Sequence, residues 1–406
     1  MADFQQNGNI TTLHNLRTRA PGELEAELSA FAQTRKISLI LPCLYSELEG
    51  DAMPHILTEL ASVTYLHRII IGLDAANEAQ YRHAKAFFKG LNQNHIVIWN
   101  DSPRMLALGA RLEAMGLAPT EKGKGKNVWA SLGYLIGCAD SAVMAIHDCD
   151  ILTYEKDMLA RLVYPVVNPN FPYQVAKGYY PRIGGDKLNG RVTRLLVSPL
   201  LIALKKVIGD RDYIDYLRSF RYPLSGEFAM RTAILPDLRI PSDWGLEIGV
   251  LSEAWRNLAP KAVCQVEISD AYDHKHQELS PEEADAGLNR MSTDICKAIF
   301  RKLAADGTVF TPNVFRTLKA TYYRCALDLL ESYYNDAKMN GLVIDRHKEE
   351  RAIELFAENI MRAGQVFLEN PHEIPFIPTW NRIHSADPTF LTDMNAAAKA
   401  DEADYQ

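Results

Sequence analysis

The chain has 406 residues, long enough for two packed units or for one α/β domain with a helical extension. Its formal net charge of −7 argues against a general nucleic-acid binder, which carries a basic excess. Hydrophobic residues at 47% and charged residues at 23% are ordinary for a globular protein, and six scattered cysteines without a C-x-x-C pair read as reduced thiols of a cytoplasmic protein.

Residues Met1 to Gly8 contain neither the basic nor the apolar region of a secretion signal. Residues 1–35 read as a polar lead-in followed by one helix around Glu23 to Gln33. Ile37-Ser-Leu-Ile-Leu41, closed by Pro42, has the pattern of a buried parallel strand. Helical periodicity through His55, Leu57, Leu60 and Val63 leads to a second strand, Arg68 to Leu73, which ends at Asp74. A helix over 78–90 and a third strand, His95 to Trp99, follow. Strands and helices alternating at this spacing predict a doubly wound, mostly parallel α/β sheet.

Glu121-Lys-Gly-Lys-Gly-Lys126 precedes a helical run from Val128 to Ala139. Its glycines admit an anion close to the backbone, its lysines supply charge, and the helix start offers free N–H groups. The plain alternative is a solvated basic loop with Asn127 as helix cap. The spacing of a Walker loop is absent, and no G-x-G-x-x-G follows the first strand.

Val143 to Ile146 then reads as a buried strand whose extension stops at Asp148-Cys149-Asp150. Residues i and i+2 of an extended segment point to one side, so the two carboxylates repel unless a cation or proton lies between them. At the carboxyl end of a parallel strand this pattern reads as a divalent-cation site, with Mg²⁺ or Mn²⁺ bridging to a diphosphate. The alternative is an acidic loop with no ligand.

Tyr154 to Val167 reads as a helix and Tyr173 to Lys177 as a strand. The loop from Gly178 to Thr193 is rich in glycine and cations and runs into a helix near Leu195. Basic residues are unfavourable at a helix start, so a bound anion would account for Arg191 and Arg194 there. The most apolar stretch, Leu195 to Leu204, is too short to cross a bilayer and contains Pro199, so no membrane span is expected.

Two further segments, Tyr222 to Arg231 and Asp243 to Val250, each set one acid, Glu227 or Glu247, among small and apolar residues. That composition suits a sugar pocket; helix capping or ion pairing is the alternative. After a strand at Ala262 to Ile268, His274 and His276 form a possible metal pair or an ordinary loop. From Glu282 to Leu368 the pattern is helical and carries no obvious chemistry. Asn395 to Asp404 reads as a solvated tail.

Six motifs in order resemble the glucosyl-3-phosphoglycerate synthases, retaining GT-A glycosyltransferases related to the mannosylglycerate synthases. They are Gly-Lys-Gly-x-x-x-Trp at 123–129, Asp-x-Asp at 148–150, Gly-Arg-Val-Thr at 190–193, Pro-Leu-x-Gly-Glu at 223–227, Trp-Gly-Leu-Glu-Ile-Gly at 244–249 and the late His274. The similarity covers roughly residues 37 to 300. It implies a GT-A catalytic domain over 36–280, with a nucleotide-sugar half at 36–150 and an acceptor half at 151–280. A helical region at 281–390 and a tail at 391–406 would follow.

The resemblance also implies roles. Asp150 and His274 would ligate Mg²⁺ or Mn²⁺ on the donor diphosphate. Pro42, Leu44, Asp74, Lys124, Asp148 and Cys149 would bind the nucleotide sugar, either UDP-glucose or a GDP-sugar. Glu247 would hold the hexose hydroxyls, with the Leu224, Ser225 and Gly226 backbone beside the anomeric carbon. Gly190, Arg191, Thr193 and His276 would bind phosphoglycerate or glycerate. Cys149 stands where the family commonly has Ser, and Ser225 where it has Gly. Front-face attack is the expected chemistry, with double displacement through Glu227 as the alternative. Transfer to free glycerate, nucleotidyl transfer and a non-catalytic sugar-nucleotide binder are the rival functions, and a homodimer built by the helical region is a possible assembly.

Overall fold

A computed structural model describes residues 6, 8–20, 22–119, 123–274, 287–371 and 377–405. The strands are β1 (Thr11–Leu13), β2 (Ile37–Leu44), β3 (Leu66–Asp74), β4 (His95–Trp99), β5 (Val143–Ile146), β6 (Val175–Tyr179), β7 (Ile183–Gly184), β8 (Lys187–Leu188), β9 (Phe228–Arg231) and β10 (Val263–Glu267). Helices α1 (Glu23–Ala32), α2 (Ala52–Ala61), α3 (Glu78–Phe88), α4 (Pro103–Ala114), α5 (Lys124–Cys138) and α6 (Lys156–Val167) alternate with the early strands. Then come α7 (Ser198–Ile208), α8 (Asp212–Ser219), α9 (Leu246–Asn257), α10 (Gly287–Ala305), α11 (Pro312–Met339), α12 (Arg346–Glu369), α13 (Trp380–Ala386) and α14 (Phe390–Asp404).

Eight strands form one sheet in the order β1-β10-β6-β9-β5-β2-β3-β4, and β7 pairs with β8 as a separate hairpin. Helices cover both faces, so the central strands are apolar on both sides. Leu39, Leu41, Ile69 and Ile71 belong to one core cluster and Ile40, Ile70, Ile98 and Ile146 to the other. Each such side chain stabilises the fold by roughly 1.5–3 kcal/mol when fully buried.

The chain runs outward from β2 through β3 to β4, then returns to place β5 on the other side of β2. This reversal opens a crevice beyond the carboxyl ends of β2 and β5, where open α/β sheets bind ligands. The strand at β2 does not close at Pro42, as expected, but continues to Leu44. Ile40 accepts a bond from His147 N at 3.2 Å, so Pro42 turns its backbone to the same side, beyond the end of β5. Its missing N–H therefore costs no ladder bond.

Three expectations need correction. β9 lies antiparallel between β5 and β6, inside the segment read only as a pocket loop. β1 lies inside the lead-in and pairs with β10 at the sheet edge, where Gln265 donates to Thr12 Oγ1 at 2.8 Å. Strands of four and three residues are too short to show a period. The terminal segment is not a solvated tail: α14 buries Phe390, Met394 and Ala398 and sets Asp401 against Arg104 Nη1 at 2.7 Å. Within Asn395 to Asp404 Ala398 is the buried apolar residue, and one alanine does not mark a packed face in composition.

The same C-terminal elements brace α5. Trp380 stacks on Trp129 with ring centroids 4.2 Å apart, and its indole N–H donates to the Trp129 carbonyl at 3.1 Å. Such a stack adds about 0.5–1.5 kcal/mol beyond its buried area. No helix among the described residues is long and apolar enough to cross a membrane.

Candidate functional site

A cleft of about 1300 Å³ opens at the reversal point. It exceeds the range of about 300–1,000 Å³ usual for one small ligand. β5 delivers Asp148 and Asp150 to its floor. His274 reaches them because residues 271–274 run beside 151–153: Ile151 and His274 form a bridge, and Leu152 N donates to Asp273 O at 2.9 Å. Asp150 Oδ2 and His274 Nδ1 are thereby 3.1 Å apart, each side chain about a quarter exposed.

Lys124 opens α5 and joins three elements of the chain. Its Nζ lies 2.6 Å from Asp148 Oδ1 and 3.2 Å from Glu247 Oε1 of α9. Desolvation disfavours its charge, but Asp148 and Glu247 outweigh that and hold its pKa above the ordinary value. Asp148 is correspondingly held low: burial opposes ionisation, and the Lys124 cation reverses the balance. Gly226 permits this assembly, since a Cβ there would run into Asp148 Oδ2 and come within 2.9 Å of Lys124 Nζ.

Asn127 is not the helix cap that the sequence suggested. α5 begins three residues earlier, at Lys124, and Asn127 is buried inside it, donating to Gly72 O at 2.7 Å. The helix start is thus tied to the crevice end of β3. Glu121, at the front of the basic loop, lies outside the described residues, as does His276.

Glu227 is sealed beneath the cleft. It is 0% exposed and accepts bonds from Tyr180 Oη (2.5 Å), Tyr272 Oη (2.7 Å) and Ser225 Oγ (3.0 Å). Burial and then the Asp148 charge push its pKa up, against those bonds. Glu227 is therefore kept out of the cleft, whereas Glu247 lines it with Trp244. Lys177 is buried beside Phe228 and donates Nζ to the Ser225 carbonyl. Leu224 and Gly226 line the cleft while the Ser225 side chain turns to Glu227.

Pro42, Leu44, Asp74 and Cys149 all line the cleft as well. Burial pushes the Asp74 carboxyl up although Asn100 donates to it at 2.8 Å. A bond with Cys43, together with burial, raises the Cys149 thiol well above its ordinary value.

On the remaining wall, Gly190 and Arg191 line the cleft, whereas Thr193 is buried, its hydroxyl without a hydrogen-bond partner among the described residues. The helix start after them is a π-helical turn, Val192–Val197. A protein carboxylate, not only a ligand, accounts for the basic residues here: Glu349 Oε1 meets Arg191 Nε and Oε2 meets Arg194 Nη2, both at 2.9 Å. Arg182, set over the Tyr272 ring at 5.2 Å, and His347, Lys348 and Arg351 of α12 also line the cleft. Sequence reasoning missed the α12 residues. Spacing of 347, 348 and 351 marks one helix face, but an exposed charged face looks the same.

No family model matches the chain. It is 44% identical over 404 residues to the glucosyl-3-phosphoglycerate synthase of Persephonella marina, covering 100% of both chains. It is 38% identical over 408 residues to that of Methanococcoides burtonii, covering 99% of each. Among solved structures, the glucosyl-3-phosphoglycerate synthase of Mycobacterium tuberculosis in complex with Mn²⁺, UDP-glucose and phosphoglyceric acid superposes with a TM-score of 0.53 at 22% identity. That match covers 73% of this chain and 88% of the other, a likeness of fold that makes the sheet and its crevice a GT-A arrangement. With relatives this similar over their whole length, the chain belongs to the glucosyl-3-phosphoglycerate synthase family.

Proposed function

We propose that this chain transfers glucose, with retention of anomeric configuration, from UDP-glucose to the hydroxyl of 3-phosphoglycerate, with Mg²⁺ or Mn²⁺ on the donor diphosphate. The observation that carries the reading is one cleft lined by Asp150, the His274 beside it and Arg191. UDP-glucose, phosphoglyceric acid and Mn²⁺ are bound in the solved mycobacterial relative, and Mg²⁺ with UDP in another structure of it.

A carboxylate and an imidazole 3.1 Å apart suit Mn²⁺ or Mg²⁺ as a partial ligand set. Among the described residues no cluster of three or more His, Cys, Asp or Glu side chains has metal-binding geometry. The donor diphosphate and water would supply the other ligands. When bound, the ion supplies positive charge against the departing nucleoside diphosphate.

The chain's own residues do the rest. Lys124 offers a second cation to the diphosphate, and Glu247 accepts bonds from hexose hydroxyls. Pro42, Leu44, Asp74, Asp148 and Cys149 form the nucleotide end. Leu224 to Gly226, braced by Lys177, lie beside the anomeric carbon. Glu227 is walled off by its three donors, which favours front-face attack over double displacement. The bond from the anomeric carbon to the phosphate oxygen breaks as the acceptor oxygen bonds to that carbon. The acceptor proton goes to the departing phosphate, so no enzymic general acid is required.

Gly190, Arg191, Thr193 and His276 would receive the acceptor phosphate, and Gly190 and Arg191 lining the cleft support this. A matrix of UDP- and GDP-sugars against 3-phosphoglycerate and glycerate, with Mg²⁺, Mn²⁺ or chelator, tests the assignment. Equal transfer in chelator, or pyrophosphate as product, would overturn it.

A further inference from the structure

We infer that Glu349, in the first turn of α12, is a positioning residue for the acceptor: it fixes the Arg191 guanidinium so that its Nη pair serves the phosphate. The inference rests on the reading that Arg191 binds the acceptor phosphate.

Arg191 and Glu349 are 158 residues apart in the chain. Glu349 is 4% exposed and divides its carboxylate between two guanidinium groups, Oε1 on Arg191 Nε and Oε2 on Arg194 Nη2. Arg194 is itself pinned. Its Nε donates to Asn189 O at 2.8 Å, its Nη2 to Leu188 O at 3.2 Å, and its guanidinium lies over the Tyr333 ring at 5.2 Å. Glu349 therefore has one place to sit, and Arg191 takes its orientation from it.

A guanidinium can grip an oxyanion side-on through Nε and one Nη, or end-on through both Nη groups. Glu349 occupies Nε, and neither Nη of Arg191 has a protein partner among the described residues. The end-on fork remains. Charge points the same way, because one carboxylate shared by two arginines leaves this wall net positive.

The helix is also registered on the acceptor loop before Glu349 is reached. Val343 N donates to Asp186 O at 2.6 Å, and Val343 bridges Lys187 in β8. α12 thus carries its first turn to the same cleft wall, where His347, Lys348 and Arg351 stand with Arg191. A helix that merely covered the core would not require this tie.

The test measures KM for 3-phosphoglycerate and for UDP-glucose in Arg191→Ala, Glu349→Gln, Glu349→Asp, Glu349→Ala and the double alanine variant. Glu349→Gln keeps the side-chain volume, and Glu349→Asp keeps the charge while drawing it back by one methylene, so folded protein is available for the comparison. Acceptor KM should rise about tenfold or more in the Glu349 variants, with donor KM within about twofold of wild type. In the Arg191→Ala background, loss of Glu349 should add less than about twofold. Parallel increases in both KM values, a fall in melting temperature alone, or full additivity would overturn the inference while leaving the acceptor reading intact. An unchanged acceptor KM in Arg191→Ala would overturn both.

Discussion

Asp150 and His274, 124 residues apart in the chain, bring a carboxylate oxygen and an imidazole nitrogen to 3.1 Å. The bridge between Ile151 and His274 and the bond from Leu152 N to Asp273 O enforce the approach. Replacing either member by alanine should lower turnover at least about a hundredfold. Both side chains are partly exposed, so stability should change by no more than about 0.5–1 kcal/mol. Titration calorimetry with Mn²⁺ and UDP, beside a thermal melt, separates lost metal binding from lost fold. Retained Mn²⁺ affinity in both variants would refute the assignment.

Gly226→Ala probes the close approach of the sugar-side loop to Asp148 and Lys124. The added methyl has no room against the Asp148 carboxylate, so either the loop or the carboxylate must shift. A displacement near 1 Å at a reacting centre costs about a hundredfold in rate. Steady-state kinetics should show kcat falling by that order while the protein still melts cooperatively.

Glu227 distinguishes the two routes to retention. Its three hydroxyl donors and complete burial describe a structural carboxylate. Glu227→Gln should cost about 1–3 kcal/mol of stability, because an amide turns a donor toward hydroxyls that also donate. It should keep at least roughly a tenth of the wild-type kcat, whereas losing a nucleophile costs about 10⁴-fold or more. Mass spectrometry of wild-type protein with donor alone should reveal no glycosyl adduct.

Lys177 gives a prediction in pH. Burial lowers its pKa from 10.5 to about 8. Between these values the unfolded chain binds a proton that the folded chain does not, so this group's contribution to stability rises with pH across pH 8–10.5. The rise amounts to about 3 kcal/mol. Below pH 8 both states hold the proton and the burial cost is constant. Lys177→Met should remove the slope while leaving the Ser225 carbonyl without its donor. Denaturant unfolding of both proteins at intervals from pH 7.5 to 10.5 measures the difference, and parallel curves would contradict the assignment.

Much of the nucleotide end was legible in the chain alone, for a local reason. Ile37 to Leu41, Arg68 to Leu73 and Val143 to Ile146 are dominated by apolar residues, with only Ser38 and Arg68 departing, as a strand buried on both faces requires. Asp74 follows its run directly and Asp148 and Asp150 lie two and four residues past theirs, so strand position already fixes where their carboxylates go. Lys124 stands at a helix start, which is equally local. Tertiary structure alone decided what depends on distant partners. Glu227 reads like Glu247 in sequence, yet Tyr180 and Tyr272 enclose the first while Lys124 draws the second to the cleft. Arg191 looks unpaired until Glu349 of α12 reaches it, and Asn395 to Asp404 reads as a solvated tail until α4 and α5 receive α14. Sequence patterns report what neighbouring residues share, whereas burial and charge pairing are settled by whichever segment packs opposite.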